Sequence, residues 1–128
     1  VQERKHGERW YLPAGRVEAG ETLAQAAHRE TLEESGVPIV LEGILRVEHS
    51  PTPQAQARCR VFFLARPKDD TPPRQVANED SLGARWVSYE ELDKLPLRGR
   101  EVRIIFDHVL RGGPVYPMAL LRQEGAPW

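Results

Sequence analysis

The alternation of apolar and polar positions divides the chain into a few strong elements. From Thr22 to Gly36, Leu23, Ala26 and Ala27 recur at helical spacing, which predicts an amphipathic helix. Its ends carry their own signals. Thr22 with Gln25 makes a capping box, in which each side chain satisfies a backbone donor left free in the first turn. Gly36 suits the left-handed residue that closes a helix, and Pro38 blocks its continuation. A second helix is predicted over Glu101–Leu110, where Val102, Ile105, Phe106 and Val109 share a face, before Gly112-Gly113-Pro114 stops it. Strands are predicted from Ile39 to Glu48, with a bend at Gly43, and from Arg58 to Ala65, which is rich in β-branched and aromatic residues. A shorter strand is read at Ala84–Ser88, with Trp86 in the core. Tyr89-Glu90-Glu91-Leu92 reads as one helical turn capped by Ser88. Val1–Lys5 reads as the end of a strand and His6-Gly7-Glu8 as a turn. Since the chain opens on Val1 rather than Met, a further N-terminal strand is expected upstream. Strands mixed with two substantial helices imply an α/β fold, a sheet covered by helices.

Composition enters mainly by exclusion. A length of 128 residues suits one domain, 1–128. A net charge of −1 argues against a nucleic-acid partner, which would call for a basic excess. The single cysteine, Cys59, excludes an intrachain disulfide framework and a cysteine-only zinc site. Next to the apolar run Val61–Leu64, its side chain is expected to be buried. No apolar stretch approaches the roughly 20 residues needed to span a bilayer, and no secretory signal is visible. A cytoplasmic location is therefore the default.

Charge within the first helix changes the picture more. Each helical residue turns the chain by about 100°, so Glu30, Glu33 and Glu34, at i, i+3 and i+4, project from one side. Like charges so spaced repel, at a cost of about 0.2–0.5 kcal/mol per pair. Arg29, one turn before Glu33, can pair with it but cannot neutralise three carboxylates. A divalent cation can. Mg²⁺ takes hard oxygen ligands in octahedral geometry, a few carboxylates together with water and substrate phosphates. Zinc fits less well, because no His or Cys stands at ligand spacing here. Gly15 lets its backbone approach an ion or phosphate closely. Glu21 sits at the helix start, where the macrodipole favours a carboxylate. An acidic helix face by itself is usually just solvated; the register of Gly15, Glu21, Arg29 and Gly36 argues otherwise.

Gly15, Glu21, Arg29-Glu30, Glu33-Glu34 and Gly36-Val37 stand with five residues between Gly15 and Glu21 and seven between Glu21 and Arg29. This pattern resembles the Nudix box of the MutT-like hydrolases. Thr31 departs from it, standing where that family usually has a bulky aliphatic, while every charged position is intact. Downstream, Asn78-Glu79-Asp80 followed by Ala84-Arg85-Trp86-Val87 is similar to the family's acidic loop and following strand. The resemblance implies an α/β/α sandwich with a mixed sheet, and hydrolysis of a nucleoside diphosphate linked to another moiety. It implies that Glu30, Glu33 and Glu34, with the Gly15 carbonyl, bind Mg²⁺ or Mn²⁺. Glu21 and Arg29 would be structural, orienting the loop and Glu33. Water would attack phosphorus while the metals stabilise charge on the nucleophile and the leaving group. The general base varies in this family; the candidates are Glu33 and Glu34, with Glu79 and Asp80 in reserve.

Substrate choice lies outside the box. The run Trp10-Tyr11-Leu12-Pro13-Ala14-Gly15-Arg16-Val17-Glu18 is similar to the Nudix subgroup that acts on oxidised guanine nucleoside diphosphates. Pro51 and Pro53 lie about where ADP-ribose-cleaving members carry a proline, but a proline in a loop is too common to decide. ADP-ribose, dinucleoside polyphosphates and nucleotide sugars stay open. Trp10, Arg16 and His49 are the candidate substrate contacts. Trp10, Phe62 and Phe63 could stack a base, against the plainer reading of core packing. His28 falls on the face away from the carboxylates. Two other classes compete. A nucleotide-binding Nudix-like regulator would have lost box carboxylates, all of which are present here. A protein-interaction module would need an exposed apolar patch, which Pro114 to Leu121 could supply, as it could for a homodimer. The expected partner is a small-molecule nucleotide, with neither nucleic acid nor membrane.

Overall fold

Thr22 and Gly36 bound the first helix for the reasons their chemistry gives. In the computed structural model, which describes residues 1–54 and 56–128, helix α1 runs Leu23–Ser35. The Thr22 side chain accepts the Gln25 N–H at 3.0 Å, and the Gln25 side chain accepts the Thr22 N–H at 2.9 Å. This reciprocal pair satisfies two donors of the first turn. Gly36 is left-handed, with φ 76°, a state that strains any residue with a Cβ. Ala26 is buried and Leu23 and Ala27 are half-buried, so the apolar stripe faces inward.

Buried Val37 leads into strand β1, Ile39–Ser50, which pairs antiparallel with β2, Arg58–Pro67. Each strand runs two residues past the end its sequence pattern predicts. The register slips beside Gly43 and again between Ile44 and Arg46. The bend at Gly43 has a tertiary cause. A Cβ there would stand 2.4 Å from Val115 Cγ1 and 3.0 Å from Tyr116 O. The missing side chain lets the 115–116 segment close on β1, where Tyr116 and Ile44 exchange two backbone hydrogen bonds of 2.8 Å. Ile44 is among the most deeply buried side chains of the core, with Leu92 and Val102.

A second region of pairing joins four distant points of the chain. Gln2 bridges antiparallel to Trp10 and to Gly83, and Trp10 bridges in parallel to Leu97. Among the described residues the extended sheet of β1 and β2 is purely antiparallel, and parallel pairing is confined to the Trp10–Leu97 bridge. His6–Glu8 form a short 3-10 turn, as does Glu90–Lys94. The second of these is led by Ser88, whose hydroxyl accepts the Glu91 N–H at 3.3 Å while Glu91 accepts the Ser88 N–H at 3.0 Å. Helix α2 spans Glu101–Leu110 and buries Val102. No helix among the described residues is long and apolar enough to cross a membrane.

Two expectations are overturned. Residues 84–88 form no strand, and Trp86 is 62 % exposed. The buried stretch lies just before it, at Ser81, Gly83 and Ala84, whose backbones bond to residues 78, 2 and 74. Pairing ends there, so nothing turns Trp86 inward. Cys59 is exposed rather than buried. It is the second residue of β2, next to the connection from β1, opposite exposed His49 and ahead of the half-buried run that begins at Arg60.

Candidate active site

One guanidinium organises the loop before α1. Arg29 donates from Nε to Glu21 Oε2 at 2.7 Å and from Nη2 to Glu21 Oε1 at 3.0 Å. This two-bond fork is the geometry that distinguishes Arg from Lys. Nη2 also reaches Arg16 O at 3.1 Å, while Nη1 reaches Glu30 Oε1 at 2.9 Å and Glu33 Oε2 at 3.2 Å. Glu18 N–H adds a 3.0 Å bond to Glu21. The residues between Gly15 and Glu21 are thereby tied to the helix that carries the carboxylates. The Arg29 hydrogen bonds, followed by that of Glu18 N–H, hold the Glu21 carboxyl down at about 2. Arg29 is in turn held above its ordinary range, first by Glu21. The Arg29–Glu33 contact read from the sequence is present, but Glu21 takes the shorter bonds.

The Glu30 carboxyl packs directly on Gly15. A Cβ at this position would lie 2.0 Å from Glu30 Cδ and 2.1 Å from Glu30 Oε1, and Gly15 is not among the residues with positive φ. Next to it, Ala14 N–H donates to Glu34 Oε1 at 3.4 Å. Burial pushes the Glu34 carboxyl up to about 8; the Ala14 N–H opposes this and the neighbouring Glu30 reinforces it. Glu33 stands in a different setting, with its side chain 42 % exposed against 19 % for Glu30.

The three carboxylates gather about Arg29 and the Ala14–Gly15 loop without forming a finished cage. Among the described residues, no three His, Cys, Asp or Glu side chains converge as they stand to hold a metal ion, with Glu30 and Glu33 drawn to Arg29. The donor chemistry nonetheless fits Mg²⁺ or Mn²⁺. All the donors are hard oxygens, the absence of a Cβ at Gly15 lets the Glu30 carboxylate lie against the loop backbone, and the half-buried Glu34 has another carboxylate as its neighbour, a repulsion that a dication relieves.

The remaining sequence candidates are scattered. Glu79 and Asp80 are exposed, on a loop whose flanking Asn78 and Ser81 bond to the backbone of Glu33 and Glu34. Trp10 is half-buried, with the Arg85 guanidinium 5.7 Å from its ring centre. Arg16 is exposed and engages Arg29 through its carbonyl. His49 is exposed on β1. These three do not meet at one place.

A cavity of about 440 Å³ does form between β1, β2 and α2, lined among others by Arg46, Glu48, Phe62, Glu101 and Ile105. Arg60 braces it, donating to Glu48 Oε1 at 2.6 Å and to Glu101 Oε2 at 2.9 Å, with its guanidinium 5.0 Å from the Phe62 ring centre. The Tyr11 hydroxyl donates to Glu101. The sequence offered Phe62 as a ring that could stack a base but gave no sign of Arg46, Glu48, Arg60 and Glu101, because charges scattered over separate segments share no period. Only Leu12 and Pro13 separate Tyr11 from Ala14, whose N–H meets Glu34, so the cavity rim and the carboxylate helix are joined by at most about 11 Å of chain.

Comparison with known proteins agrees with this geometry. The sequence model of the NUDIX domain matches residues 1–107. The chain is 38 % identical over 105 residues to the 8-oxo-dGDP phosphatase NUDT18 of Homo sapiens, a match covering 80 % of this chain and 31 % of that protein. It is 36 % identical over 124 residues to the phosphatase NudJ of Escherichia coli O1:K1 / APEC, covering 93 % of this chain and 77 % of that one. It therefore spans about a third of NUDT18 and most of NudJ. A NUDIX hydrolase from Nitrosomonas europaea shares the fold with a TM-score of 0.66 and 25 % identity, covering 89 % of this chain and 78 % of that chain. With the box residues in register and gathered around Gly15 and Arg29, the chain belongs to the Nudix family.

Proposed function

We propose that residues 1–128 act as one catalytic domain that uses Mg²⁺ or Mn²⁺ to cleave a diphosphate linkage in a nucleoside diphosphate-type substrate. The observation that carries this reading is the Glu30 carboxyl packed on Gly15, with Glu34 alongside and Arg29 locking the loop to the helix. Glu30, Glu33 and Glu34, with the Gly15 carbonyl, would hold the metal, which when bound screens the diphosphate and lowers the pKa of water. The protein groups supply position and proton transfer. Arg29 and Glu21 fix the loop. Glu33, the more exposed carboxylate, has the freer access to take the proton of an attacking water. Glu34 is the second candidate base, and Glu79 and Asp80 stand in reserve on their loop.

The nucleoside half is assigned to the cavity beside α2. Phe62 offers a ring face, and Glu48 and Glu101 offer acceptors for base or ribose donors. An oxidised guanine nucleoside diphosphate is the first substrate to test. NUDT18 is named for 8-oxo-dGDP, and the run from Trp10 to Glu18 is similar to that subgroup. The same reading places the enzyme in the cytoplasm, where an exposed thiol such as Cys59 stays reduced.

A panel of 8-oxo-dGDP, ADP-ribose, dinucleoside polyphosphates and nucleotide sugars tests the reading directly, with product masses read in Mg²⁺, Mn²⁺ or chelator. Cleavage at the diphosphate only with metal is the expected result. Glu33→Gln or Glu34→Gln should lower turnover by at least about 100-fold; parental turnover in either variant removes that residue from the mechanism. If nucleotides bind and none is cut with metal present, the protein is a nucleotide-binding regulator instead.

A further inference from the structure

The last four carbonyls of an α-helix have no partner within it. In α1 they belong to Leu32, Glu33, Glu34 and Ser35, and the Gly36 N–H serves only Leu32. The other three are served from a single distant stretch, residues 74–81. Arg74 donates its backbone N–H to Ser35 O at 2.7 Å and its guanidinium to Glu33 O. Asn78 Nδ2 donates to Glu33 O at 3.2 Å. Ser81, with no exposed surface, donates its hydroxyl to Glu34 O at 2.5 Å.

The stretch that supplies these donors is itself braced. Asn78 Oδ1 accepts the N–H groups of Asp80 and Ser81, both at 2.9 Å, and the Asn78 N–H donates to Ser81 O at 2.9 Å. Ala84 N–H closes on Arg74 O at 2.8 Å, and Arg4 Nε donates to Asn78 O. A plain helix cap needs only donors, from any convenient residue. Here the carbonyls held by side chains are those of the two glutamates, and the loop that holds them carries Glu79 and Asp80 between its two donors.

We propose that Asn78 and Ser81 are positioning residues for the hydrolysis. They latch the last turn of α1 so that the Glu33 and Glu34 carboxylates and the 79–80 loop keep one geometry toward metal and substrate. The inference rests on the catalytic reading of Glu33 and Glu34. A helical residue is set about 100° from its neighbour, so even a partial unwinding of the last turn swings a carboxylate away from Gly15 and Glu30. Partners that orient metal ligands from behind are worth about 10–100-fold in metal affinity or activity.

Two substitutions separate the latch from the turn that carries it. Asn78→Asp keeps the Oδ acceptor for Asp80 and Ser81 and removes the donor to Glu33 O. Ser81→Ala removes the hydroxyl from a buried site at nearly constant volume; should it fail to fold, the half-exposed Asn78→Asp decides alone. Both are compared with the parent, Glu33→Gln and Glu34→Gln, well below the unfolding temperature. The readouts are Mn²⁺ affinity by electron paramagnetic resonance without substrate, kcat and KM on 8-oxo-dGDP, and Tm. The latch variants are expected to weaken Mn²⁺ binding about tenfold and to lower kcat about tenfold or more, with KM within about twofold. A lowered Tm with parental Mn²⁺ affinity and kcat would show an ordinary helix cap and overturn the proposal. The Mn²⁺ measurement decides even if 8-oxo-dGDP is not cut. Parental turnover in both Glu33→Gln and Glu34→Gln rejects the catalytic assignment itself. Loss of turnover in those two with none in Asn78→Asp and Ser81→Ala rejects the latch alone.

Discussion

At Gly15 the space that a Cβ would occupy is already filled by another residue's side chain. The nearest atoms are Cδ, Oε1 and Cγ of Glu30, all in the outer part of a flexible chain. Gly15→Ala is therefore tolerable to the fold, because Glu30 can swing aside at little cost. On the proposed metal-binding role of Glu30 it is not tolerable to the site, because the swing takes that carboxylate away from the loop. The expected result is a Tm within about 4 °C of the parent, with Mn²⁺ affinity and turnover both down about tenfold or more. Calorimetry and paramagnetic resonance on the same preparation check it. A folded Gly15→Ala with parental Mn²⁺ affinity would mean that the carbonyl and carboxylate need not be neighbours.

Gly43 poses the opposite case, because what crowds it includes backbone. Its Cβ would meet Val115 Cγ1 at 2.4 Å and Tyr116 O at 3.0 Å, and the 115–116 segment cannot retreat without breaking both hydrogen bonds to buried Ile44. Gly43→Ala should cost about 1–3 kcal/mol, read from the midpoint of urea unfolding; a loss below measurement would mean that β1 yields instead. The comparison shows what each element made legible beforehand. Thr22, Gln25 and Gly36 announced α1 because a cap is a local transaction, settled within four residues. Gly43 announced a bend but not its cause, which lies some seventy residues on in the chain. Helical i, i+4 spacing announced the Arg29–Glu33 pair, whereas the tie from Arg29 to Glu21, eight positions back, came only with the resemblance to the Nudix box. The donors to the other end of the helix, Arg74, Asn78 and Ser81, were invisible, since no period marks a residue that serves a carbonyl more than forty positions back. Only the likeness of Asn78-Glu79-Asp80 to the family's acidic loop marked this stretch. Trp86 lies in an aromatic and β-branched run that looks like a buried strand in sequence, but strand character depends on the partners available and the pairing ends at Ala84.

On the scale of the whole molecule, Arg60 holds together segments that share no sequence signal. It joins β2 to Glu48 of β1 and to Glu101 at the start of α2, and Glu101 accepts from Tyr11, three residues before the loop that meets Glu34. Arg60→Met keeps much of the packing over Phe62 and takes from Glu48 and Glu101 the cation they share, leaving Glu48 only the Arg46 guanidinium at 3.0 Å. Arg60, Glu48 and Glu101 are each about a third exposed, so water screens much of the pair and the cost should be about 1 kcal/mol rather than several. Its pH dependence follows from Glu48, whose carboxyl is held below its ordinary range first by the Arg60 hydrogen bond. A carboxylate depressed on folding contributes stability that is complete above its unfolded pKa and is lost as pH falls through the folded one. The deficit of Arg60→Met should accordingly be largest near neutral pH and shrink toward about pH 3, as measured by urea unfolding at both values. An equal deficit at both would assign the role of Arg60 to its packing over Phe62. Because Glu48, Glu101 and Phe62 all line the cavity assigned to the nucleoside, the same variant should raise KM with little change in kcat, the mark of a lost binding contact. A fall in kcat at constant KM would instead mean that Arg60 reaches the carboxylate helix through Tyr11 and the loop that follows it.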